Sequence, residues 1–342
     1  MKVGDTQGEG ETLLEWRPEN NVRKVAVSEA RLSRGFLQSE PQKWFPGLAL
    51  HWQPLIHSLG LEVKIQAVAP CLVAPRGLEA AYSGAVDDEP ITMLMNKDSA
   101  HALASAVVPG ALDIAQPVVV EYLARRLLTS LASSWSGKES ASVVFDGEIN
   151  PWNIREAGAI RLDLSVNGNV CQVWVLLGKI LVDKLDGLWK RQVRSMARQA
   201  EQPLDLSLEV TQLAVPPSLL VEYMKPQAVI DLEVAASDHI MLRSGSKAWS
   251  LGRLCDIEGK FGFEILDDPL PSPKMPEGAT RLAIEFGRVR LDPALVAEVS
   301  QKGAILETNI LCSPQVNLVI NNEKVAAAEL LLYEGRFAMR VC

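Results

Sequence analysis

Apolar positions along this chain keep two periods, and the places where one gives way to the other mark out its elements. Leu61-Glu62-Val63-Lys64-Ile65 alternates with period two and predicts a half-buried strand. Ile160, Leu162 and Leu164 alternate likewise with Arg161, Asp163 and Ser165. Asn167-Gly168 then offers a two-residue hairpin turn, and Val170 to Leu177 predicts the returning strand. Between these strands the period lengthens to that of a helix. Asp98 or Ser99 is placed to cap a helix through Ala106, which Pro109 interrupts. A second helix is predicted from about Pro117 to Ser134, with Val120, Leu123, Leu127, Leu128 and Leu131 on its apolar face. A third is predicted from about Lys184 to Ala200. It carries a stripe of Leu188, Trp189, Val193 and Met196, with Lys190, Arg191, Arg194 and Arg198 on the outside.

The last third of the chain is written twice. Residues 204–266 move onto 280–342 by a shift of 76 positions without a gap, with 12 identities over 63 aligned residues. That identity is low, but the hydrophobic register is kept far better, and register is what a fold requires. Leu206 and Leu208 fall on Leu282 and Ile284, and Val210 falls on Phe286. Val229-Ile230 falls on Ile305-Leu306, and Ile240 and Leu242 fall on Val316 and Leu318. Leu254 falls on Leu330, and Phe261 on Phe337, behind the shared turns Glu258-Gly259 and Glu334-Gly335. Leu219 matches Leu295, where Asp292-Pro293 predicts a helix start that Gly303 would end. Ile320 precedes a turn at Asn321-Asn322. Each copy therefore reads as a strand, a short helix and a three- or four-strand meander. A unit this small hides little apolar surface alone. Two of them packed together or intertwined would share one core, each buried Leu or Ile contributing roughly 1.5–3 kcal/mol. The expected pairing and partner interface is Leu206, Leu208, Val229, Ile230, Ile240, Leu242, Leu254 and Phe261 in copy one, with Leu282, Ile284, Phe286, Leu295, Ile305, Leu306, Val316, Leu318, Ile320, Leu330 and Phe337 in copy two.

The resulting division is a flexible N-terminus at 1–20, an N-terminal α/β domain at 21–203, one copy at 204–266, a proline-rich linker at 267–279 and the second copy at 280–342. The fold class expected is α+β, with the two small, mostly β copies paired in an intertwined manner. Four prolines between Asp267 and Pro276 make the linker stiff and extended. Met275 stands just before copy two, as a possible internal translation start.

Composition narrows the function. The chain has 342 residues, 48% hydrophobic and 22% charged, enough apolar mass for real cores. A net charge of -8 argues against a nucleic-acid or anionic-membrane surface. The polar start through Glu11 has no apolar signal region, and the longest apolar run, Val170 to Val182, is broken by Gln172 and Lys179 and too short to span a membrane. Cys71, Cys171, Cys255, Cys312 and Cys342 are odd in number and not in metal-ligand spacing, as expected of reduced thiols in a cytosolic protein.

Catalytic patterns are sought and not found. Ser136-Gly137-Lys138-Glu139 approaches a phosphate loop, but Ala132 stands where glycine is needed and Glu139 where Ser or Thr is needed, so it reads as a solvated turn. His51 and His57 share neither a helical nor a strand face, and His101 and His239 stand alone. No Gly-x-Ser-x-Gly occurs. Trp44, Trp52, Trp152, Trp174 and Trp189 read as core anchors, with partner contacts as the alternative. No enzyme activity, cofactor or metal is expected.

The second copy's Leu282-x-Ile-x-Phe-Gly287-Arg288, Gly303-x-Ile-Leu306, Val316-x-Leu-x-Ile-Asn321 and Glu334-Gly335-Arg336-Phe337 resemble the SPOA (surface presentation of antigens) domain. The first copy, with Gly252-Arg253-Leu254 and Gly259-Lys260-Phe261, resembles it more loosely and has Gln227 where copy two has Gly303. Tandem SPOA domains behind a larger domain resemble the layout of the SctQ/YscQ/HrcQ family of type III secretion. That resemblance implies a non-enzymatic cytoplasmic scaffold, peripheral at the inner membrane, in the sorting platform or C-ring. The implied partners are an SctL-type stator protein, through it an SctN-type export ATPase, an SctK-type adaptor and chaperone–effector complexes. Self-association through the second SPOA domain, with a short C-terminal product, is implied too. The alternative is a FliM/FliN-type flagellar motor switch subunit. Residues 1–20 show no response-regulator motif of the kind it needs, and no Glu before residue 210 has Asn three positions on, as a CheC-type phosphatase would.

Overall fold

A computed structural model describes residues 13–35, 57–58, 60–71, 78–110, 113–135, 143–148, 158–196, 203–245, 247–270, 275–292 and 302–342. They divide into two compact units, one within 28–192 and the other made of 13–27 with the chain from 193 onward. The chain opens with β1 (Leu14–Glu15), one turn of helix α1 (Pro18–Asn21) and β2 (Arg23–Lys24). All three belong to the unit that contains the repeats. The expectation of a frayed terminus through residue 20 therefore fails from residue 13 onward. Trp16 is 1% exposed and Pro18 is buried, and one buried aromatic outweighs the polar average of the residues around it.

The unit within 28–192 contains α2 (Val27–Gly35), β3 (Val63–Cys71), β4 (Leu78–Val86), β5 (Glu89–Asn96), α3 (Lys97–Val107), α4 (Gln116–Trp135), β6 (Val143–Glu148), β7 (Gly158–Val166), β8 (Asn169–Leu177) and α5 (Lys179–Met196). Its strands form one six-stranded sheet in the order β3-β7-β8-β5-β4-β6, antiparallel at every pairing. The hairpin falls where the alternation put it. Asn167 and Gly168 take the left-handed conformation (φ 49° and 82°) that a tight two-residue turn requires. On one face, Ile160, Leu162, Val173 and Val175 pack with Ile91 and Met93 against Leu103, Ala104, Val120, Ala124 and Leu128 of the helices.

Two expectations shift here. The cap of α3 is Asn96, whose Oδ1 accepts the Ser99 N–H at 2.9 Å, rather than Asp98 or Ser99. An extended Asn96 lets its side chain fold back on the first turn. The third helix starts at Lys179, because the apolar run from Val170 divides at Gly178, and Leu181, Val182 and Leu185 bury as a helical stripe. Arg34 of α2 forms a buried ion pair with Asp186 at 3.0 Å, and Lys190 reaches the same carboxylate at 2.8 Å. Trp174 is buried with Ala81, Leu94, Ala159 and Leu176 on the sheet's other face. Trp44, Trp52 and Trp152, and the Trp189 side chain, lie outside what is described.

The repeats supply β9 (Leu204–Val215), α6 (Leu220–Tyr223), β10 (Val229–Ala235), β11 (His239–Ser244), β12 (Lys247–Ile257) and β13 (Lys260–Asp267), then β14 (Thr280–Leu291), β15 (Ile305–Leu311), β16 (Gln315–Ile320), β17 (Glu323–Tyr333) and β18 (Arg336–Val341). A short 3-10 turn, Pro217–Leu219, precedes α6. The sheet order is β10-β18-β17-β16-β14-β9-β11-β12-β13-β15. The copies are intertwined: β10 of copy one pairs with β18 of copy two, and β15 of copy two pairs with β13 of copy one. Only three strands of each copy form the meander. The fourth crosses to the sibling and adds to the outer strand of its meander, so β10 and β15 form the two ends of the sheet.

The exchange follows a pseudo-two-fold axis. The Gln227 N–H donates to Val341 O at 2.9 Å, and the Gly303 N–H donates to Ile265 O at 2.8 Å. These are the same contact shifted by 76 residues. Both donors are left-handed, with φ 67° at Gln227 and 82° at Gly303. The crossover turn imposes this conformation, and copy one meets it without glycine. The stretch 293–301, where copy two's helix is expected, lies outside the described residues.

Candidate functional site

The pairing face predicted from sequence can be followed residue by residue. Leu206 and Leu208 of β9, Leu282, Ile284 and Phe286 of β14, Ile240 and Leu242 of β11, and Val316 and Leu318 of β16 all enter one core cluster. Leu254 of β12, Phe261 of β13, Leu330 of β17, Phe337 of β18, and Ile230 and Leu306 of the exchanged strands join it. Ile320 packs half-buried at its margin, Ile305 is buried but is not a member of that cluster, and Val229 is half-buried. Leu295 lies outside the described residues. These side chains fill one core shared by the two copies inside a single chain.

What remains accessible at the axis is polar. The central strands β9 and β14 run antiparallel, and Glu209 lies directly opposite Glu285, its own equivalent in the repeat. The register slips at that point, so the pair sits where a bulge interrupts the ladder. Their side chains leave the apolar core on the other face and line a cleft of about 630 Å³ with Gln212, Met275, Arg281, Arg288 and Asn321. Glu209 is 3% exposed and Glu285 is 4% exposed.

The two carboxylates are provided for unequally. Glu209 accepts from Ser207 Oγ at 2.8 Å and Gln212 Nε2 at 2.8 Å, and pairs with Arg243 Nε at 3.1 Å. Shifted by 76, those donors become Ala283, Arg288 and Val319. Glu285 accordingly keeps one partner, Arg288 Nε at 2.9 Å, and its Oε2 is buried with no hydrogen-bond partner. Burial pushes Glu209 above the usual carboxylate range, opposed by Ser207, Gln212 and the nearby guanidinium groups. Burial likewise raises Glu285, opposed by Arg288 and reinforced by the Glu209 charge. Arg243 is pushed down by burial, which the Glu209 carboxylate offsets. The arrangement holds charge at a strand pairing and so discriminates between pairings.

No protein-family model matches the chain, and no curated protein matches it either. Solved structures similar to it include the FliM middle domain from Vibrio alginolyticus, at 14% identity over 43% of this chain and 96% of that one, with a TM-score of 0.33. The FliM middle domain from H. pylori is similar at 10% identity over 48% of this chain and 99% of that one, TM-score 0.35. The chemotaxis protein CheX from Desulfovibrio desulfuricans is similar at 13% identity over 40% and 97%, TM-score 0.28. At these scores the likeness is distant.

Sequence reasoning missed the glutamate pair and its arginine. One signal was there: Glu209 and Glu285 are an identical charged residue inside an otherwise apolar register. Among the described residues no group of three or more His, Cys, Asp or Glu side chains is placed to hold a metal ion. Among them, too, no helix is long and apolar enough to cross a membrane.

Proposed function

We propose that this chain is a non-enzymatic scaffold of the type III secretion sorting platform, an SctQ-type subunit at the cytosolic face of the inner membrane. The observation that carries the reading is the exchange of β10 and β15 between two repeats whose sequence resembles SPOA. Tandem copies that complete each other's sheets form one compact unit, and in this reading its outer surface receives the partners. Those partners are an SctL-type stator, and through it the SctN-type ATPase, an SctK-type adaptor and chaperone–effector complexes. Met275, at the mouth of the cleft, starts a separate product of residues 275–342 in this reading. Co-purification of the full chain with the SctL-type protein of the same genome tests the assignment. Retention of that protein, with loss of secretion but not motility on gene deletion, is the expected result. Loss of motility with secretion intact would reassign the chain to the flagellar alternative. No retention and neither loss would remove both readings.

A further inference from the structure

Residues 14–25 are bound to the repeat pair as a peptide would be, although they belong to neither repeat. β1 pairs antiparallel with β17 at Leu331 and Leu332, and β2 pairs parallel with β12 at Cys255 and Asp256. Those two positions are equivalent under the 76-residue shift. One segment, two short strands joined by the helical turn α1, thus crosses the pseudo-two-fold axis and adds to the equivalent strand edge on both sides, once in each sense. The anchor is Trp16. Its ring lies 5.6 Å from Phe286, 5.6 Å from Phe337 and 6.5 Å from Phe261, the last two being equivalents in the repeats. Val22 is buried in the same cluster, Val25 is buried as well, and Arg23 Nη2 reaches Glu264 Oε2 at 3.3 Å.

The backbone hold is slight, with two paired residues at each end. The Val25 N–H donates to Asp256 O at 2.9 Å and the Trp16 N–H to Leu330 O at a long 3.4 Å. A buried aromatic anchor with strand addition at sheet edges is a recognition mode that dissociates without unfolding its receptor. Here the receptor, the interleaved sheet, makes all of its own strand pairings in the order β10 to β15 without the segment.

We infer that the groove across the pseudo-two-fold axis is a docking site for a tryptophan-bearing strand–turn–strand segment, and that residues 13–26 of a second copy of this chain can occupy it. The occupant is fixed by what the groove holds now, the same segment supplied in cis. Reciprocal exchange between two copies closes a dimer without creating any new contact. The cis segment competes at an effective concentration on the order of millimolar, so exchange belongs to crowded assemblies rather than to dilute solution.

The test uses full-length chains and a labelled synthetic peptide of residues 13–26. Peptide binding by fluorescence anisotropy should be at least about tenfold tighter to a Trp16→Ala chain than to the parent, whose groove is filled. A peptide carrying Trp16→Ala should not bind. If the Trp16→Ala chain does not fold, the same titration uses the parent sequence with a protease site after Ala26, cut before measurement. Absence of binding to the open groove overturns the docking site. Sedimentation of the parent chain up to about 1 mM should show a growing dimer that Trp16→Ala abolishes. A parent that stays monomeric, or a dimer unaffected by Trp16→Ala, overturns the second copy as occupant.

Discussion

Glu209 and Glu285 are the same residue in two copies of one motif, yet replacing each by glutamine should move stability in opposite directions. In Glu209→Gln the guanidinium of Arg243 loses the carboxylate it pairs with at 3.1 Å, where its side chain is only 5% exposed. Breaking a buried ion pair by removing one partner costs about 3–5 kcal/mol. In Glu285→Gln the partner is Arg288, whose side chain is 37% exposed and which also donates to Asn322 O at 3.0 Å, so it rehydrates cheaply. The substitution removes a buried charge with an unpartnered oxygen and the repulsion between facing carboxylates. A gain of about 1 kcal/mol at pH 7.5 is expected. The pH dependence supplies a second check. Glu285 is raised in the folded state above its ordinary value of 4.5, so the folded state holds the proton more tightly than the unfolded one. Parent stability is therefore largest below that ordinary value and falls as pH rises through the raised one. The advantage of Glu285→Gln should vanish near pH 4 and be complete at pH 7.5. Urea unfolding at both values, followed by hydrogen exchange in β9 and β14, reads the effect in the right unit. A Glu285→Gln chain destabilised at pH 7.5 as much as Glu209→Gln would refute the reasoning.

Three further outcomes follow from the same structure. Gly303→Ala should cost about 1 kcal/mol in urea unfolding because φ is 82° there, whereas Gln227→Gly relieves the same left-handed conformation (φ 67°) and should be neutral or stabilising by a few tenths. With a thiol reagent at pH 8, exposed Cys342 should react first among the described cysteines. Cys171, pushed up to about 11, and Cys312, pushed up to about 12, should wait for denaturant, as mass spectrometry of the labelled peptides would show. A separate product of residues 275–342 that self-pairs would set Glu285 against its own copy, with Arg288 and Arg281 nearby but neither Ser207 nor Arg243. Such pairing should weaken as pH rises from 5 to 8 in sedimentation, and pH-independent pairing would contradict it.

Much of this fold could be read directly from the chain. The Asn167-Gly168 hairpin, the period-two strands and the turns at Glu258-Gly259, Asn321-Asn322 and Glu334-Gly335 lie where local pattern placed them, because tight turns demand particular residues. Intertwining was legible as well, since the repeated unit holds more apolar positions than one small sheet can cover. Which strand would cross over was not. β10 and β15 alternate like any other strand, and their exchange is decided by edges that only three dimensions bring together. The strap was hidden for a related reason. Its hold depends on Trp16 meeting Phe261, Phe286 and Phe337, residues far away in sequence, while its own composition is that of a loop.

The unequal treatment of the two glutamates bears on how a duplicated motif stops being symmetric. A shared core can be filled from either copy, and the apolar register has been kept on both sides of the axis. Buried charge is different, because each carboxylate needs its own donors within hydrogen-bond reach. Copy one supplies them through Ser207, Gln212 and Arg243, and copy two replaces the first and last with Ala283 and Val319. Pairing copy one with copy two places one fully satisfied carboxylate opposite one that is not. Pairing copy two with itself places two of the poorer kind face to face. The polar residues at the axis thus favour the tandem pair over the self-pair, although the hydrophobic faces alone would accept either.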